Sequence, residues 1–136
     1  MHPIRKRFGQ HFLYDQSVID QIVAAINPKP SEHLVEIGPG LGALTLPVLA
    51  KAKHMQATEI DRDAIAALKV SALSVGELYI HEADILKFDL SSLRINDQLL
   101  RLIGNLPYNI STPLIFKLID QRQHFLDMHF MLQKEV

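Results

Sequence analysis

The glycine-rich segment Leu34-Val-Glu-Ile-Gly-Pro-Gly-Leu-Gly42 constrains the fold of this chain more than any other feature. Its apolar start predicts a short buried strand over residues 34–37. The three glycines that follow, Gly38, Gly40 and Gly42, predict a turn with almost no side-chain bulk. A helix is predicted next, because apolar residues recur at helical spacing after the turn. A strand, a glycine turn and a helix N-terminus together form a place where a nucleotide can contact backbone amides.

This loop has an alternative interpretation, because its spacing is G-x-G-x-G rather than the G-x-G-x-x-G of dinucleotide-binding proteins. A tight strand-to-helix turn that binds no ligand also fits the pattern. An acidic residue, Glu59, lies at the end of the next apolar segment. A carboxylate at that position can accept hydrogen bonds from the hydroxyls of a ribose.

The composition restricts the class of protein. At 136 residues, with 48% hydrophobic and 21% charged residues, the chain is expected to form at most one folded domain. It has no cysteine, which excludes disulfides and thiolate metal sites and suggests a reducing compartment such as the cytoplasm. The net charge of −1 gives no global attraction to nucleic acid, so any such attraction must be local. No apolar segment approaches the ~20 residues of a membrane span.

Strand-like and helix-like segments alternate along the chain, which predicts an α/β fold with a parallel sheet. Strands are predicted at residues 34–37, 56–60, 78–81, 99–103 and 130–132. Helices are predicted after an N-cap at Asp15, after the glycine turn, from Asp61 to Leu68, and from Thr112 to Asp120. Residues 86–98 fit neither pattern clearly and suggest turns.

Ligands of parallel α/β sheets bind beyond the carboxyl ends of the strands. Four glycine or polar positions lie at or just past the ends of the predicted strands, namely Gly38, Glu59, Asp84 and Asn105. The sequence therefore predicts a single site to which four strands contribute.

The pentapeptide Gly104-Asn-Leu-Pro-Tyr108 follows the fourth predicted strand and combines an amide, a proline and an aromatic ring. Pro107 biases Leu106 towards an extended backbone. The Asn105 amide oxygen and a backbone carbonyl can then both accept from one exocyclic NH₂ group, and Tyr108 offers a face on which a base can stack. A helix-entry loop, with Asn105 in an Asx-turn and the tyrosine in the core, is the alternative interpretation.

Several motifs resemble those of the KsgA-type ribosomal RNA adenine dimethyltransferases, in order from about residue 4 to the last residue. They are Lys6-Arg-Phe-Gly-Gln-His-Phe-Leu13, Val35-Glu-Ile-Gly-Pro-Gly-Leu-Gly42, Glu59-Ile-Asp61, Ala83-Asp84, Gly104-Asn-Leu-Pro-Tyr-Asn-Ile-Ser-Thr-Pro113 and Met128-His-Phe-Met-Leu-Gln-Lys-Glu-Val136. The erythromycin-resistance methylases share the fold and an Asn-x-Pro-Tyr/Phe motif. Leu106 and the continuation Pro113-Leu-Ile-Phe116 are more similar to the first group.

The resemblance implies a Rossmann-like methyltransferase that uses S-adenosylmethionine to dimethylate N6 of two adjacent adenosines in small-subunit ribosomal RNA. It implies that the cofactor site is lined by His11, Leu13, Gly38, Gly40, Glu59, Asp84 and Asn105. The catalytic loop would be Asn105, Leu106, Pro107 and Tyr108. Arg5, Lys6 and Arg7 are candidates for contacts with RNA phosphates, although a solvated basic tail fits them equally well.

The resemblance also implies that residues 1–136 are the N-terminal part of a catalytic domain, followed by further strands and a helical RNA-binding domain. The complete protein is expected to be a cytoplasmic monomer. A polypeptide that ends at Val136 is expected to self-associate through its last strand and to be inactive on RNA. No metal is predicted, because the seven histidines show no metal-ligand spacing such as H-x-x-x-H. Rival interpretations are a DNA or large-subunit RNA adenine methylase, and a ribosome-assembly binding factor with secondary catalysis.

Overall fold

Five parallel strands alternate with helices in the computed structural model, which describes residues 15–106 and 111–132. The strands are β1 (His33–Ile37), β2 (His54–Glu59), β3 (Glu77–Glu82), β4 (Leu100–Leu106) and β5 (Phe125–Leu132). The α-helices are α1 (Gln16–Ile26), α2 (Thr45–Ala52), α3 (Arg62–Ala72) and α4 (Ser111–Asp120). Short 3₁₀ helices lie at Leu90–Leu93 and Arg122–His124.

The strands pair in the order β3-β2-β1-β4-β5. The chain proceeds outward from β1 to β3, crosses back, and continues outward on the other side with β4 and β5. The order therefore reverses between β1 and β4. In an open α/β sheet the crevice beyond the carboxyl ends of such a strand pair is the usual ligand site.

The core has two layers because successive strand side chains point to opposite faces of the sheet. One face packs against α1, α2 and α3, and its buried residues include Leu34, Met55 and Ile103. The other face packs against α4 and the segment that follows β3, with Val35 and Leu102 at its centre. Both faces of the central strands are thus covered, as their nearly continuous apolar sequence requires. No helix in the described part of the chain is long and apolar enough to cross a membrane.

The predicted helix starts at Asp15 and Asp61 are confirmed. The Asp15 side chain accepts from the Ser17 amide, and the Asp61 side chain accepts from the amides of Asp63 and Ala64. Each carboxylate satisfies backbone donors that have no partner within the first turn of the helix.

Several boundaries differ from the prediction. Strand β4 continues to Leu106, so that Asn105 lies within the strand rather than after it, and β5 begins five residues earlier than predicted, at Phe125. Residues 86–98 include the 3₁₀ helix capped by Asp89.

Only half of the apolar stripe that the sequence of α4 carries is buried. Leu114 and Leu118 are buried, whereas Ile115 and Ile119 are 41% and 46% exposed. The apolar stripe of α4 is therefore wider than the surface that it covers among the described residues.

At the amino ends of the strands, Arg101 is buried in a polar cluster that holds α1 against the sheet. Its guanidinium donates to both carboxylate oxygens of Asp127, to Glu32 at 2.7 Å, and to the Ile26 carbonyl at 2.6 Å. The bond with Asp127 raises the pKa of Arg101 further, although burial opposes the shift. Burial alone would raise the pKa of Asp127, but hydrogen bonds from Arg101 and His129 lower it overall.

Candidate functional site

The carboxyl ends of β1 and β4 lie side by side, with Ile37 paired to Gly104. A Cβ on Gly104 would come within 2.9 Å of the Ile37 carbonyl oxygen, so only glycine allows the two backbones to approach this closely. This pairing brings the glycine turn after β1 next to Asn105. The two most informative motifs of the sequence are therefore joined in one crevice.

The glycine turn leaves an open concave space at its first residue. Gly38 has a φ of +67°, and a Cβ there would meet no atom within 4 Å. Its amide donates to the Thr58 carbonyl at 2.9 Å, which fixes the turn to the end of β2. A ligand can therefore lie directly against the Gly38 backbone.

The last glycine of the turn has a packing role instead. Gly42 has a φ of +95°, and a Cβ there would lie 2.5 Å from Cδ1 of Leu68 on α3. Gly42 therefore allows α3 to pack tightly beneath the turn.

Glu59, at the end of β2, holds the glycine turn from the opposite side. Its Oε1 accepts from the Gly40 amide at 2.9 Å, and its Oε2 accepts from the amides of Ile60 and Asp61 at 2.9 and 3.0 Å. A carboxylate offers about four acceptor sites. Three of them are used, so the carboxylate can accept about one more hydrogen bond without releasing a backbone amide.

Glu36 is a buried acid that the sequence analysis did not assign to the site. It is 2% exposed in β1 and accepts a hydrogen bond from the Thr45 hydroxyl at the start of α2. Burial raises the pKa of Glu36 to about 8; the bond from Thr45 opposes the shift, and the nearby Glu59 carboxylate adds to it. The signal in the sequence was an acidic residue inside an otherwise apolar strand.

Asp84 follows β3 and shapes a tight turn. Its Oδ1 accepts from the Leu86 amide at 3.0 Å, and its carbonyl accepts from the Lys87 amide at 2.9 Å. The preceding residue, Ala83, donates to the Glu59 carbonyl at 3.0 Å and so ties this turn to the end of β2. The structure thus brings Asp84 to the same edge of the sheet as Glu59.

Asn105 is the penultimate residue of β4 and is partly buried, whereas the last residue, Leu106, is fully buried. The other predicted residues of this loop, Pro107 and Tyr108, lie outside the described residues. So do His11, Leu13 and the basic residues Arg5, Lys6 and Arg7. Within residues 15–106 and 111–132, no group of histidine, cysteine, aspartate or glutamate side chains is arranged to hold a metal ion.

The parallel sheet with its central reversal, and the glycine turn that faces Glu59, together define a Rossmann-like methyltransferase fold. An RNA methyltransferase from Salinibacter ruber, solved with S-adenosyl-L-homocysteine, has this fold at a TM-score of 0.65 and 17% identity, over 77% of this chain and 67% of its own. A dimethyladenosine transferase from Plasmodium falciparum is more similar, with a TM-score of 0.71 and 34% identity over 87% of this chain and 42% of its own.

The family model described as "Ribosomal RNA adenine dimethylase" matches residues 1–136, and the chain belongs to that family. Two curated relatives are called "Ribosomal RNA small subunit methyltransferase A". The protein from Marinobacter nauticus is 58% identical over 99% of this chain and 49% of its own length. That from a Marinomonas species is 56% identical over 99% of this chain and 51% of its own length. The chain thus spans about half the length of the curated relatives that it matches.

Proposed function

We propose that this chain is the cofactor-binding part of an enzyme that uses S-adenosylmethionine to dimethylate N6 of two adjacent adenosines in small-subunit ribosomal RNA. The observation that carries the proposal is that the glycine turn, Glu59, Asp84 and Asn105 all lie at the carboxyl edge of the sheet, with the glycine turn and Asn105 on the two strands between which the order reverses. The names of the 56–58% identical relatives support the choice of substrate.

The described residues fit the parts of this cofactor. The open space at Gly38 suits the methionine part, because a Cβ at that position meets no atom and φ is positive. Glu59 is held by three backbone amides and has acceptor capacity left for a ribose hydroxyl. Asp84 supplies an acceptor for the adenine amine. By resemblance, His11 and Leu13 complete the site.

When bound, the cofactor supplies an electrophilic methyl group on a cationic sulfur. In our proposal the residues of the chain hold the attacking nitrogen in line with it. The Asn105 side-chain oxygen and a carbonyl of Leu106 or Pro107 accept from the target N6 hydrogens, which favours a tetrahedral nitrogen with an available lone pair. Tyr108 stacks on the base. No strong base is needed before transfer, so positioning and electrostatics supply most of the rate enhancement.

The target adenine must leave its stack to reach this crevice. We propose that Arg5, Lys6 and Arg7 contact RNA phosphates, with the remaining RNA contacts made by a helical domain that follows residues 1–136. The complete enzyme is proposed to act as a monomer in the cytoplasm on the assembling small subunit.

Two assays test this function on the complete natural polypeptide. Calorimetric titration with S-adenosylmethionine and S-adenosylhomocysteine measures cofactor binding. Transfer of labelled methyl groups is then compared on unmethylated small ribosomal subunits, large subunits and duplex DNA, and the product is mapped by mass spectrometry. We expect two dimethyladenosines in the small-subunit RNA. Binding without transfer would favour an assembly factor, and preferential labelling of DNA or large subunits would contradict the proposed substrate.

A further inference from the structure

Lys117 lies on α4 and connects this helix to the turn that follows β3. Its neighbours in the helix, Leu114 and Leu118, are buried, and its amine reaches the segment after β3. The amine donates to the backbone carbonyls of Ile85, at 2.6 Å, and Phe88, at 2.5 Å. One side chain thus holds both ends of the turn that begins at Asp84.

Other contacts also hold the turn: Ile85 belongs to the same buried cluster as Leu114 and Leu118 of α4, and the Ala83 amide donates to the Glu59 carbonyl. Asp84 makes local hydrogen bonds to the amides of Leu86 and Lys87, which shape the turn but do not attach it to the body of the protein. The Phe88 ring packs against His81 of β3, with ring centroids 5.8 Å apart. Lys117 adds two hydrogen bonds between the turn and α4 to these apolar contacts.

The environment of Lys117 is suited to holding carbonyl groups. Burial lowers the pKa of Lys117, and the carboxylates of Asp89 and Asp84 oppose that shift. An amine that has lost part of its hydration is stabilised by each carbonyl that replaces a water contact. The turn and α4 are therefore expected to move as one unit.

We propose that Lys117 is a positioning residue that sets the placement of Asp84 towards the adenine amine of the cofactor. This inference rests on the proposed function. Helix α4 begins five residues after Leu106, so Lys117 connects the turn at Asp84 to the helix that comes after Asn105 in the chain. Lys117 does not touch cofactor or substrate in this role, and it acts through the Ile85 and Phe88 carbonyls.

The test compares two ligands that differ at the edge of the base that Asp84 is proposed to recognise. S-adenosylhomocysteine carries the adenine amine, and S-inosylhomocysteine carries a keto oxygen in its place and a proton on the adjacent ring nitrogen N1. Both are titrated into the complete natural polypeptide and into Lys117→Met, which keeps an unbranched apolar side chain but has no donor. Lys69→Met, at an exposed position on α3, is the matched control. Thermal unfolding confirms that each variant is folded at the titration temperature.

We expect Lys117→Met to weaken binding of S-adenosylhomocysteine by about 2- to 30-fold, the range of coupling through residues that touch neither ligand. Binding of the inosine analogue should change little, so the preference for the amine shrinks. Lys117→Arg should keep most of the preference, and Lys69→Met all of it. If Lys117 had a purely structural role, its loss would weaken binding of both ligands equally. The comparison of the two ligands therefore distinguishes positioning from structure, which a melting temperature alone would not do.

If Lys117→Met weakened binding of both ligands equally, or changed the affinity for neither, the positioning role would be overturned and the proposed function would remain intact. If the unaltered protein bound neither ligand, the proposed function and this inference would both fail. Should Lys117→Met not fold, Lys117→Gln, which keeps one donor group, takes its place with the same expected loss of preference.

Discussion

Replacing Glu36 with glutamine should make the protein more stable at neutral and alkaline pH. The carboxyl is 2% exposed, and its pKa lies at about 8 instead of the ordinary 4.5. Between these two pH values the folded chain retains a proton that the unfolded chain has released. The free energy of unfolding therefore falls as the pH rises through this window. Glutamine has no such proton and can still accept the hydrogen bond from Thr45.

The size of the effect follows from the two pKa values. Each pH unit contributes about 1.4 kcal/mol. The raised pKa of Glu36 therefore lowers the free energy of unfolding by about 3 kcal/mol at pH 7 and by about 5 kcal/mol above pH 8, relative to pH 4.5. These values are upper limits for the gain in Glu36→Gln, because the new NH₂ group must also find acceptors in a buried site.

Urea unfolding of both proteins at half-unit steps from pH 5 to pH 9 measures this effect. The difference between the two free energies of unfolding isolates Glu36, because other titrating groups are common to both proteins. It should grow by about 1.4 kcal/mol per pH unit and level off near pH 8. When both proteins also carry Glu59→Gln, the pH at which the difference levels off should be lower, because the Glu59 carboxylate contributes to the raised pKa of Glu36. A difference that stays constant from pH 5 to pH 8 would refute the raised pKa.

Substitutions at four further positions, and one truncation, test the site and the fold. Glu59→Ala should weaken cofactor binding at least tenfold, since a hydrogen bond to a charged group contributes about 1.5–3 kcal/mol; unchanged calorimetric affinity would remove Glu59 from the site. Asn105→Ala should abolish methyl transfer but keep most cofactor binding, and equal loss of both would assign it to the cofactor alone. Tyr108→Ala should lose about 1–3 kcal/mol of base stacking, measured as kcat/KM on small subunits, whereas Tyr108→Phe keeps most of it; equal damage would mean that the hydroxyl matters. Arg101→Met should lower the free energy of unfolding by about 1–3 kcal/mol without changing cofactor affinity, because it leaves the buried Ile26 carbonyl and two partly exposed carboxylates without their donor. Finally, a polypeptide that ends at Val136 should self-associate through β5, and light scattering that reports a monodisperse monomer would contradict this.

The sequence predicted the parallel α/β fold because its determinants are local. Apolar runs of four or five residues, the glycine turn and the capping aspartates each act within a few residues of themselves. The same reasoning placed Glu59, Asp84 and Asn105 at one edge, since parallel strands all end on the same side. These placements needed no knowledge of which strands are neighbours.

What the sequence did not reveal depends on contacts between distant segments. Strand β5 begins at Phe125 because backbone pairing with β4 extends it past the apolar tripeptide that predicted it. The burial of Arg101 depends on Glu32 and Asp127, which lie on different elements. Lys117 shows no pattern of its own, since its carbonyl partners are 29 and 32 residues away.

The strand order has a consequence for how the chain folds. Strand β1 pairs with β2 after one short helix, whereas its pairing with β4 joins His33 to Leu100 across the intervening helices and strands. Contacts of large sequence separation are slow to form, because the chain loses loop entropy before the contact compensates for it. The β1–β2–β3 half can therefore assemble first, with the glycine turn already in place, while Asn105 arrives only when β4 docks. Amide hydrogens along the β1–β4 seam are thus expected to gain protection from exchange later during refolding than those between β1 and β2.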